Sequence, residues 1–219
     1  RHLNRYRQIL TILFKFGFGD LLEMLKIDQY IEVGLQMISK KREVRLERLT
    51  KPQGLRMAFE ELGPTYIKLG QILSTRPDLI PMEFIQELSR LQDHVPAFPF
   101  EQVRNEIESE FGRSPEDVFN SLDESPLASA SIGQVHHAVL KDGEAVAVKF
   151  QRPGIHKIIE VDLEIMLHLA TLAERHIEEL AVHHPVKIVE EFARTLEKEI
   201  DYKTEATNME RAARHFLDD

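Results

Sequence analysis

Two strand-like segments joined by a tight turn constrain this chain more than any other feature. Residues 134–140 are β-like, residues 144–151 place Val146, Val148 and Phe150 on one face, and Lys141-Asp142-Gly143 stands between them. An Asp-Gly pair in this setting is a strong signal for a β-hairpin, because glycine accepts the positive φ of the turn. The sequence therefore predicts a small antiparallel sheet, and we place it at about residues 126–151.

Most of the remaining sequence has helical periodicity and carries the expected helix boundaries. Pro64 suits the first position of a helix, Gly112 suits a left-handed cap, and Ser114-Pro115 opens a short helix. The predicted helices cover residues 55–62, 64–74, 82–92, 100–111, 156–180 and 186–216. The fold class that follows is α+β, mostly helical with one small antiparallel sheet.

Composition excludes several classes of function. The net charge is −9, which argues against a nucleic-acid partner, since such proteins need a basic surface. The chain has no cysteine, so disulfides, thiolate metal sites and cysteine nucleophiles are excluded. His183-His184 lies beside a proline with no third ligand at a suitable spacing, and the alternation of a strand sends His136 and His137 to opposite faces. We therefore predict no metal site and no catalytic histidine.

Residues 1–50 are basic and rich in apolar side chains, with a dense apolar stretch at residues 9–14. No apolar segment approaches the ~20 residues needed to cross a bilayer. Two interpretations remain open: an amphipathic segment on a membrane surface, or a helix docked on the rest of the protein. A second basic stretch, at residues 40–48, is typical of a solvated helix face or a linker.

A lysine at the end of the later strand is the sharpest candidate for chemistry. Val146-Ala147-Val148-Lys149 has the form of the strand that carries the phosphate-contacting lysine of protein kinases. A loop of small residues, Ala128-Ser129-Ala130-Ser131, precedes it by one hairpin and would let backbone amides approach phosphates. Of the glycines usual in such a loop only Gly133 is present. The alternative is an ordinary strand that ends in a lysine.

Two polar groups on predicted helices could join this lysine. Lys68 and Gln71 lie three residues apart and so share a helix face, and Gly70 permits a close approach of another backbone. Glu199 and Asp201 could bind a hard cation through oxygen, and Glu205 could pair with Lys149. The simpler interpretation of each group is a solvated helix face.

Four segments in this order resemble the UbiB family of atypical protein-kinase-like proteins. Residues 64–81 contain the Lys-x-Gly-Gln signature as Lys68-Leu69-Gly70-Gln71, and residues 127–136 resemble the alanine-rich loop of that family. Residues 148–154 resemble its nucleotide-lysine strand and the following turn. Residues 199–206 resemble its Glu-x-Asp motif. The resemblance runs from about residue 55 to residue 216.

The resemblance implies ATP and Mg²⁺ as cofactors. It assigns Lys149 to the nucleotide phosphates and Glu205 as its acidic partner, where spacing alone suggests Glu160 or Glu164. Lys68 and Gln71 would lie on a helical extension over the cleft, with Lys68 facing Glu199 and Asp201. The loop residues would cover the nucleotide; they are Ala128, Ser129, Ala130 and Ser131.

The resemblance further implies an ATPase or small-molecule kinase that supports ubiquinone (coenzyme Q) biosynthesis, with lipids or other proteins of that pathway as partners. Such a protein would lie at a bacterial membrane facing the cytoplasm or at the mitochondrial inner membrane. This location favours the membrane-surface interpretation of the amino end. The alternative function is a non-catalytic module that binds a lipid or a partner through its helices.

One departure from ordinary kinases concerns the magnesium site. No Asp-Phe-Gly follows Lys149, and His184-Pro185-Val186 lacks the aspartate of a catalytic loop. We therefore expect an amino-terminal portion of such a protein, with its magnesium ligands mainly beyond residue 219. The expected parts are a basic helical region at 1–50, a Lys-x-Gly-Gln extension at 51–124 and a partial kinase-like N-lobe at 125–219.

Overall fold

The computed structural model describes residues 2–27, 49–92 and 96–217. It confirms a mostly helical α+β chain with one antiparallel sheet of four strands. The helices are α1 (His2–Lys15), α2 (Gly19–Met24), α3 (Lys51–Leu62), α4 (Pro64–Leu73), α5 (Met82–Leu88), a 3-10 turn (Ser89–Gln92), α6 (Phe100–Phe111), α7 (Pro115–Val118), α8 (Ile155–His176), α9 (Glu178–Ala181), α10 (Pro185–Ile200) and α11 (Tyr202–Leu217). The strands are β1 (Phe119–Leu122), β2 (Ala128–Ser129), β3 (Gly133–Leu140) and β4 (Ala145–Gln151).

The amino-terminal helices are docked on the body of the protein. Ile9 and Leu10 are almost completely buried, and Leu22 and Leu25 are buried beside them. Helix α1 contacts α3 and α8, and its apolar face joins the main hydrophobic core. For residues 2–27 this burial supports the docked-helix interpretation, and membrane association stays a prediction. Residues 28–48, including the second basic stretch, lie outside the described residues, and no described helix is long and apolar enough to span a membrane.

A buried ion pair fixes α1 to the core. The Arg5 guanidinium donates to both carboxylate oxygens of Asp162, at 2.7 and 2.9 Å, and to the carbonyl of Leu62 at 2.7 Å. Asp162 is completely buried in α8. A charge at such a position is tolerated only when a counter-charge and hydrogen bonds replace its water. Arg5, one of the basic residues of the amino end, thus holds α1, α3 and α8 together.

Helices α3 and α4 contact each other and have sequence-encoded ends. Thr50 caps α3 in a capping box with Gln53, and Gly63, at φ 97°, separates the two helices. Gly70 lies against the side chains of Leu91 and Phe59, since a Cβ there would come within 2.3 Å of Leu91 Cδ1. Gly70 does allow a close approach, but of side chains and not of a backbone.

The hairpin of the sheet is confirmed. Strand β3 is central and pairs with β1 and β2 on one side and with β4 on the other, all antiparallel. Gly143, at φ 95°, forms the turn between β3 and β4. Helix α6 packs under the sheet in a second hydrophobic cluster. Among the described strands, β4 pairs with β3 alone.

The sheet begins earlier than predicted, at Phe119. Strand β1 does not alternate, because its two apolar residues, Phe119 and Leu122, are three apart. A β-bulge after Phe119 shifts the register, so that both side chains reach the cluster beneath the sheet. The extra residue of the bulge removed the period of two on which the prediction depended.

The prediction of a single helix over residues 186–216 is wrong. The helix ends at Ile200, and α11 begins at Tyr202. Asp201 lies between them at φ −85° and ψ 78°, and its carboxylate accepts hydrogen bonds from the amide and hydroxyl of Thr204. This is the contact of an N-cap, so Asp201 starts a new helix in a new direction. The predicted 156–180 helix likewise ends early, at His176.

The hydrophobic core joins all three predicted parts of the chain. One cluster contains Ile9 of α1, Ala58 of α3 and Ile159 of α8. Helix α10 contributes Phe192 and Leu196 to the same cluster. The boundaries at residues 50 and 124 remain a prediction, and this core packs the helical extension against α1, α8 and α10.

Candidate functional site

Lys149 and Glu205 form the centre of the candidate site. Lys149 projects from β4, and its Nζ lies 2.8 Å from Oε2 and 3.0 Å from Oε1 of Glu205 on α11. Both side chains are partly exposed, at 43% and 37%. The turn at Asp201 makes this pair possible, because it brings the first turn of α11, with Tyr202 and Glu205, to Lys149. Glu205, and neither of the glutamates suggested by spacing, is the ion-pair partner of Lys149.

Tyr202 supports the same lysine. The Lys149 Nζ lies 4.5 Å from the centre of the Tyr202 ring, which is the geometry of a cation–π contact. Burial, followed by the charges of Glu205 and Glu199, raises the pKa of Tyr202 to about 12. In the described part of the chain its buried hydroxyl has no hydrogen-bond partner. Sequence reasoning did not select Tyr202, although it stands between Asp201 and Glu205 in the motif.

The small-residue loop lies beside Lys149 through a shared strand. Ala128 of β2 pairs with Val135 of β3, and Val135 pairs with Lys149 of β4. Ala128 and Ser129 belong to β2, while Ala130 and Ser131 form the connection to β3. The four predicted loop residues are therefore one strand away from the lysine.

Lys68 reaches the site from the helical extension. Its Nζ lies 2.6 Å from Oε2 of Glu199, near the end of α10. Gln71, one turn further along α4, donates from Nε2 to the carbonyl of Leu91 at 3.1 Å. A cavity of about 200 Å³ lies between these residues and the loop; its lining includes Lys68, Gln71, Ala130, Lys149, Glu199 and Tyr202. The structure thus brings together the candidates from both halves of the chain.

Asp201 is the exception. The resemblance placed it opposite Lys68, but its carboxylate is bound to Thr204 and lines a separate cavity of about 620 Å³ beyond β4. The hydrogen bonds from Thr204 hold the pKa of Asp201 below its usual range. Its position explains the helix boundary; any part in the chemistry stays a prediction.

Two spaces of different size adjoin Lys149. A larger groove of about 870 Å³ opens on the α11 side of Lys149, so the lysine stands between a small cavity and a wide one. A volume of this size suits a ligand of several hundred Å³, and a lysine beside small residues suits phosphate. Within residues 2–27, 49–92 and 96–217, no group of three or more His, Asp or Glu side chains could hold a metal.

Two residues near the loop were not selected from the sequence as site residues. Gln134 and His136 are fully buried in β3, and the Gln134 Nε2 lies 2.8 Å from the His136 Nε2. His137 points the other way, with its Nδ1 3.2 Å from Asp123, as the alternation predicts. No local sequence pattern indicates that these two polar side chains of one strand are both buried.

Comparisons with known proteins support the family resemblance found in the sequence. The ABC1 atypical kinase-like domain matches residues 90–219. "Probable protein kinase UbiB" of Cellvibrio japonicus is 45% identical over 170 residues, which are 78% of this chain and 31% of that protein. "Probable protein kinase UbiB" of Pseudomonas fluorescens is 38% identical over 216 residues, 98% of this chain and 40% of that protein.

A plant relative and a solved structure were also found. "Protein ACTIVITY OF BC1 COMPLEX KINASE 7, chloroplastic" of Arabidopsis thaliana is 47% identical over 162 residues, 74% of this chain and 23% of that protein. The complex structure of Rv3197-erythromycin from Mycobacterium tuberculosis aligns with a TM-score of 0.44 and 30% identity, over 85% of this chain and 44% of that one. The matched regions thus span 23% to 40% of these curated relatives.

Proposed function

Because this chain belongs to the ABC1 atypical kinase-like family, which includes the UbiB proteins, we propose that it forms the nucleotide-binding part of an ATPase or small-molecule kinase. The whole protein would act in ubiquinone biosynthesis, with ATP and Mg²⁺ as cofactors. The observation that carries the proposal is the ion pair of Lys149 and Glu205 beside a loop of small residues.

The ion pair supports nucleotide binding for a physical reason. A lysine held by a carboxylate on one side keeps a defined position, and its remaining donors are available to phosphate oxygens. The neighbouring ring of Tyr202 adds a second fixed surface under the ammonium. Lys149 is thereby oriented before any ligand arrives, which lowers the entropy cost of binding.

The position of Lys68 favours a small substrate over a protein substrate. Its ion pair with Glu199 bridges the helical extension and α10 across the small cavity. A folded protein substrate would have to displace α4, whereas water or a small molecule would not. In our proposal Lys68 and Gln71 regulate access, and Glu199 becomes free to act when Lys68 moves away.

The Mg²⁺ ion that accompanies ATP would neutralise charge on the phosphates. Mg²⁺ is usually held by one or two carboxylates together with phosphate oxygens. Glu199 is the described carboxylate on the small cavity, and we expect the other ligands beyond residue 219. We assign no further role to the ion.

The test is the affinity of the 219-residue chain for Mg-ATP, measured by titration calorimetry. Lys149→Ala should lower the affinity at least about tenfold, since a hydrogen bond to a charged group contributes ~1.5–3 kcal/mol. Lys187→Ala, a change at an exposed lysine of α10, is the matched control and should bind as the wild type does. Unchanged affinity in Lys149→Ala would reject the role of this lysine.

The whole protein provides the second test. ATP hydrolysis by the full-length protein should be lost in Lys149→Ala and retained in Lys187→Ala. Membrane association is proposed for that whole protein only, because the apolar face of residues 2–27 is used in its own core. Flotation of the intact 219-residue chain with liposomes separates this proposal from a lipid-binding module, because such a module would float without the rest of the protein.

A further inference from the structure

Arg152, directly after β4, gathers the carbonyl oxygens of the small-residue loop. Its Nε donates to the carbonyl of Ser131 at 3.1 Å, its Nη2 lies 3.5 Å from the carbonyl of Ala130, and its backbone amide donates to the carbonyl of Ile132 at 2.8 Å. Three successive carbonyls therefore point to one residue. This arrangement differs from a strand, in which successive carbonyls alternate in direction.

Because the peptide bond is planar, the direction of the loop carbonyls also fixes the direction of the loop amides. In each trans peptide the N–H points away from the preceding C=O. Since the carbonyls of Ala130 and Ser131 face Arg152, the amides of Ser131 and Ile132 face away from it. Among the described residues neither amide donates to a backbone oxygen, although both residues are buried. Successive free amides on one side of a loop form an anion-binding concavity.

The same loop lines the small cavity beside the lysine. Ala130, Ser131 and Ile132 are part of its wall, together with Lys68 and Lys149. Lys149 and the loop residues thus line one space of about 200 Å³, while the Lys68 ammonium on the same wall is paired with Glu199. Phosphate groups are the chemical class that such a set of donors suits.

Arg152 is itself held in position from behind. Its Nη2 also donates to the carbonyl of Pro96 at 3.0 Å, and its guanidinium lies 5.2 Å from the centre of the Phe98 ring. The side-chain amide of Gln134 binds Phe98 on both sides, accepting from its N–H at 3.0 Å and donating to its carbonyl at 3.3 Å. Phe98 and Gln134 therefore form a fixed support under the arginine.

Among the described residues, no carboxylate neutralises the charge of Arg152 through a hydrogen bond. Its described hydrogen-bond partners are all carbonyl oxygens and include no carboxylate. Burial lowers the pKa of Arg152, yet a guanidinium stays protonated in proteins. A half-buried positive charge directly behind the loop adds to the attraction for an anion in front of it.

We infer that Arg152 is a positioning residue that turns the amides of Ser131 and Ile132 toward the cavity and so converts the alanine-rich loop into a polyphosphate-binding loop. This inference rests on the proposed nucleotide site and names the part of the ligand that the loop binds. Gln134 and Phe98 hold the arginine in this position. Arg152 itself does not contact the ligand.

The test compares Mg-ATP with inorganic tripolyphosphate in the 219-residue chain. Arg152→Gln should weaken both ligands about tenfold or more, because the loop loses both its orientation and the charge behind it. Arg152→Lys keeps the charge without the planar fork and should lie between wild type and Arg152→Gln. Arg104→Gln, which removes an arginine from the exposed pair with Glu116, is the matched control and should bind both ligands normally.

A second measurement does not depend on the variants folding. In ¹H–¹⁵N spectra of the wild-type chain, tripolyphosphate should shift the amides of Ser131 and Ile132 more than those of β3. Absence of those shifts overturns the inference, even if Arg152→Gln binds poorly. Normal tripolyphosphate affinity in Arg152→Gln overturns it as well.

The outcomes also separate this inference from the proposed function. If Lys149→Ala loses ATP binding while Arg152→Gln binds normally, the proposed nucleotide site is kept and the phosphate-binding role of the loop is rejected. Wild-type binding of tripolyphosphate but not of ATP keeps the loop and rejects the nucleotide site. Wild-type binding of neither ligand rejects both.

Discussion

Gly133 lies directly against the hydroxyl of Tyr202. A Cβ built on this glycine would come within 2.4 Å of Tyr202 Oη and within 2.6 Å of the carbonyl oxygen of Phe150. The one glycine kept in the alanine-rich loop therefore makes room for protein atoms. It allows α11 to approach β3, and that approach brings Glu205 to Lys149.

Gly133→Ala should therefore destabilise the chain, by about 1–3 kcal/mol for an overpacked site. The change would displace either Tyr202 or the backbone of β4. Removal of the hydroxyl in Tyr202→Phe should recover part of the loss, because the contact with Phe150 remains. Urea unfolding of the two single variants and the double variant measures the coupling. Strictly additive effects would show that the hydroxyl is not the obstacle.

Deprotonation of Tyr202 should also lower the stability of the protein at alkaline pH. Its pKa is raised to about 12, mainly by burial, whereas an exposed tyrosine titrates near pH 10. The folded chain therefore keeps a proton that the unfolded chain loses, and this stabilisation is complete below about pH 10 and disappears as the pH rises through about 12.

The measurement is urea unfolding of wild type and Tyr202→Phe between pH 8 and pH 12. The free energy of unfolding of the wild type should fall more steeply above pH 10 than that of Tyr202→Phe. Burial also raises the pKa values of Tyr6 and Tyr66, so some decline should remain in the variant. Parallel curves for the two proteins would contradict the assignment to Tyr202.

The sequence was sufficient wherever the determinant is local. The Asp142-Gly143 turn, the Gly112 cap and the Ser114 N-cap are each decided by a few adjacent residues, and all three are confirmed. The sheet was predicted from its period of two, and the strand that lacks this period, β1, was missed. Local rules also mark Asp201 as a good N-cap, but helical periodicity on both sides concealed the break.

The site depended on pairs that are far apart in sequence. Lys149 and Glu205 are 56 residues apart, and no spacing rule selects that glutamate over Glu160 or Glu164. The family resemblance supplied this pair and the pair of Lys68 with Glu199. It did not supply Tyr202 or the position of Asp201, because those depend on where α11 turns. The burial of the amino-terminal helices likewise requires their partners, α3 and α8.

The pair of Arg5 and Asp162 should be a major contribution to stability. Replacement of Asp162 by alanine would leave a cation facing an apolar interior, and loss of one partner from a buried pair costs about 3–5 kcal/mol. Arg5→Met should cost at least as much, because it leaves the completely buried carboxylate of Asp162 without its counter-charge, whereas Arg5 is 19% exposed. Thermal unfolding of both variants tests the order.

The double variant Arg5→Met with Asp162→Leu separates charge from packing. If the loss in Asp162→Ala comes from an unpaired charge, apolar replacement of both partners should restore most of the stability. Glu60→Ala, at an exposed i,i+4 pair with Arg56, is the control and should change stability by less than about 1 kcal/mol. A double variant that is as unstable as Asp162→Ala would argue against this account.

Lys68 should control access to the site without binding the resting nucleotide. Its ion pair with Glu199 spans the small cavity, and both side chains are partly exposed, at 20% and 34%. Such a pair is worth up to about 1 kcal/mol, so its loss in Lys68→Ala should speed nucleotide association by up to about fivefold. Glu199→Gln breaks the same pair from the other side and should have the same effect on association. Stopped-flow binding of a fluorescent ATP analogue measures both rates, with Lys149→Ala as the reference for lost affinity. A loss of affinity in Lys68→Ala equal to that in Lys149→Ala would instead make Lys68 a phosphate ligand.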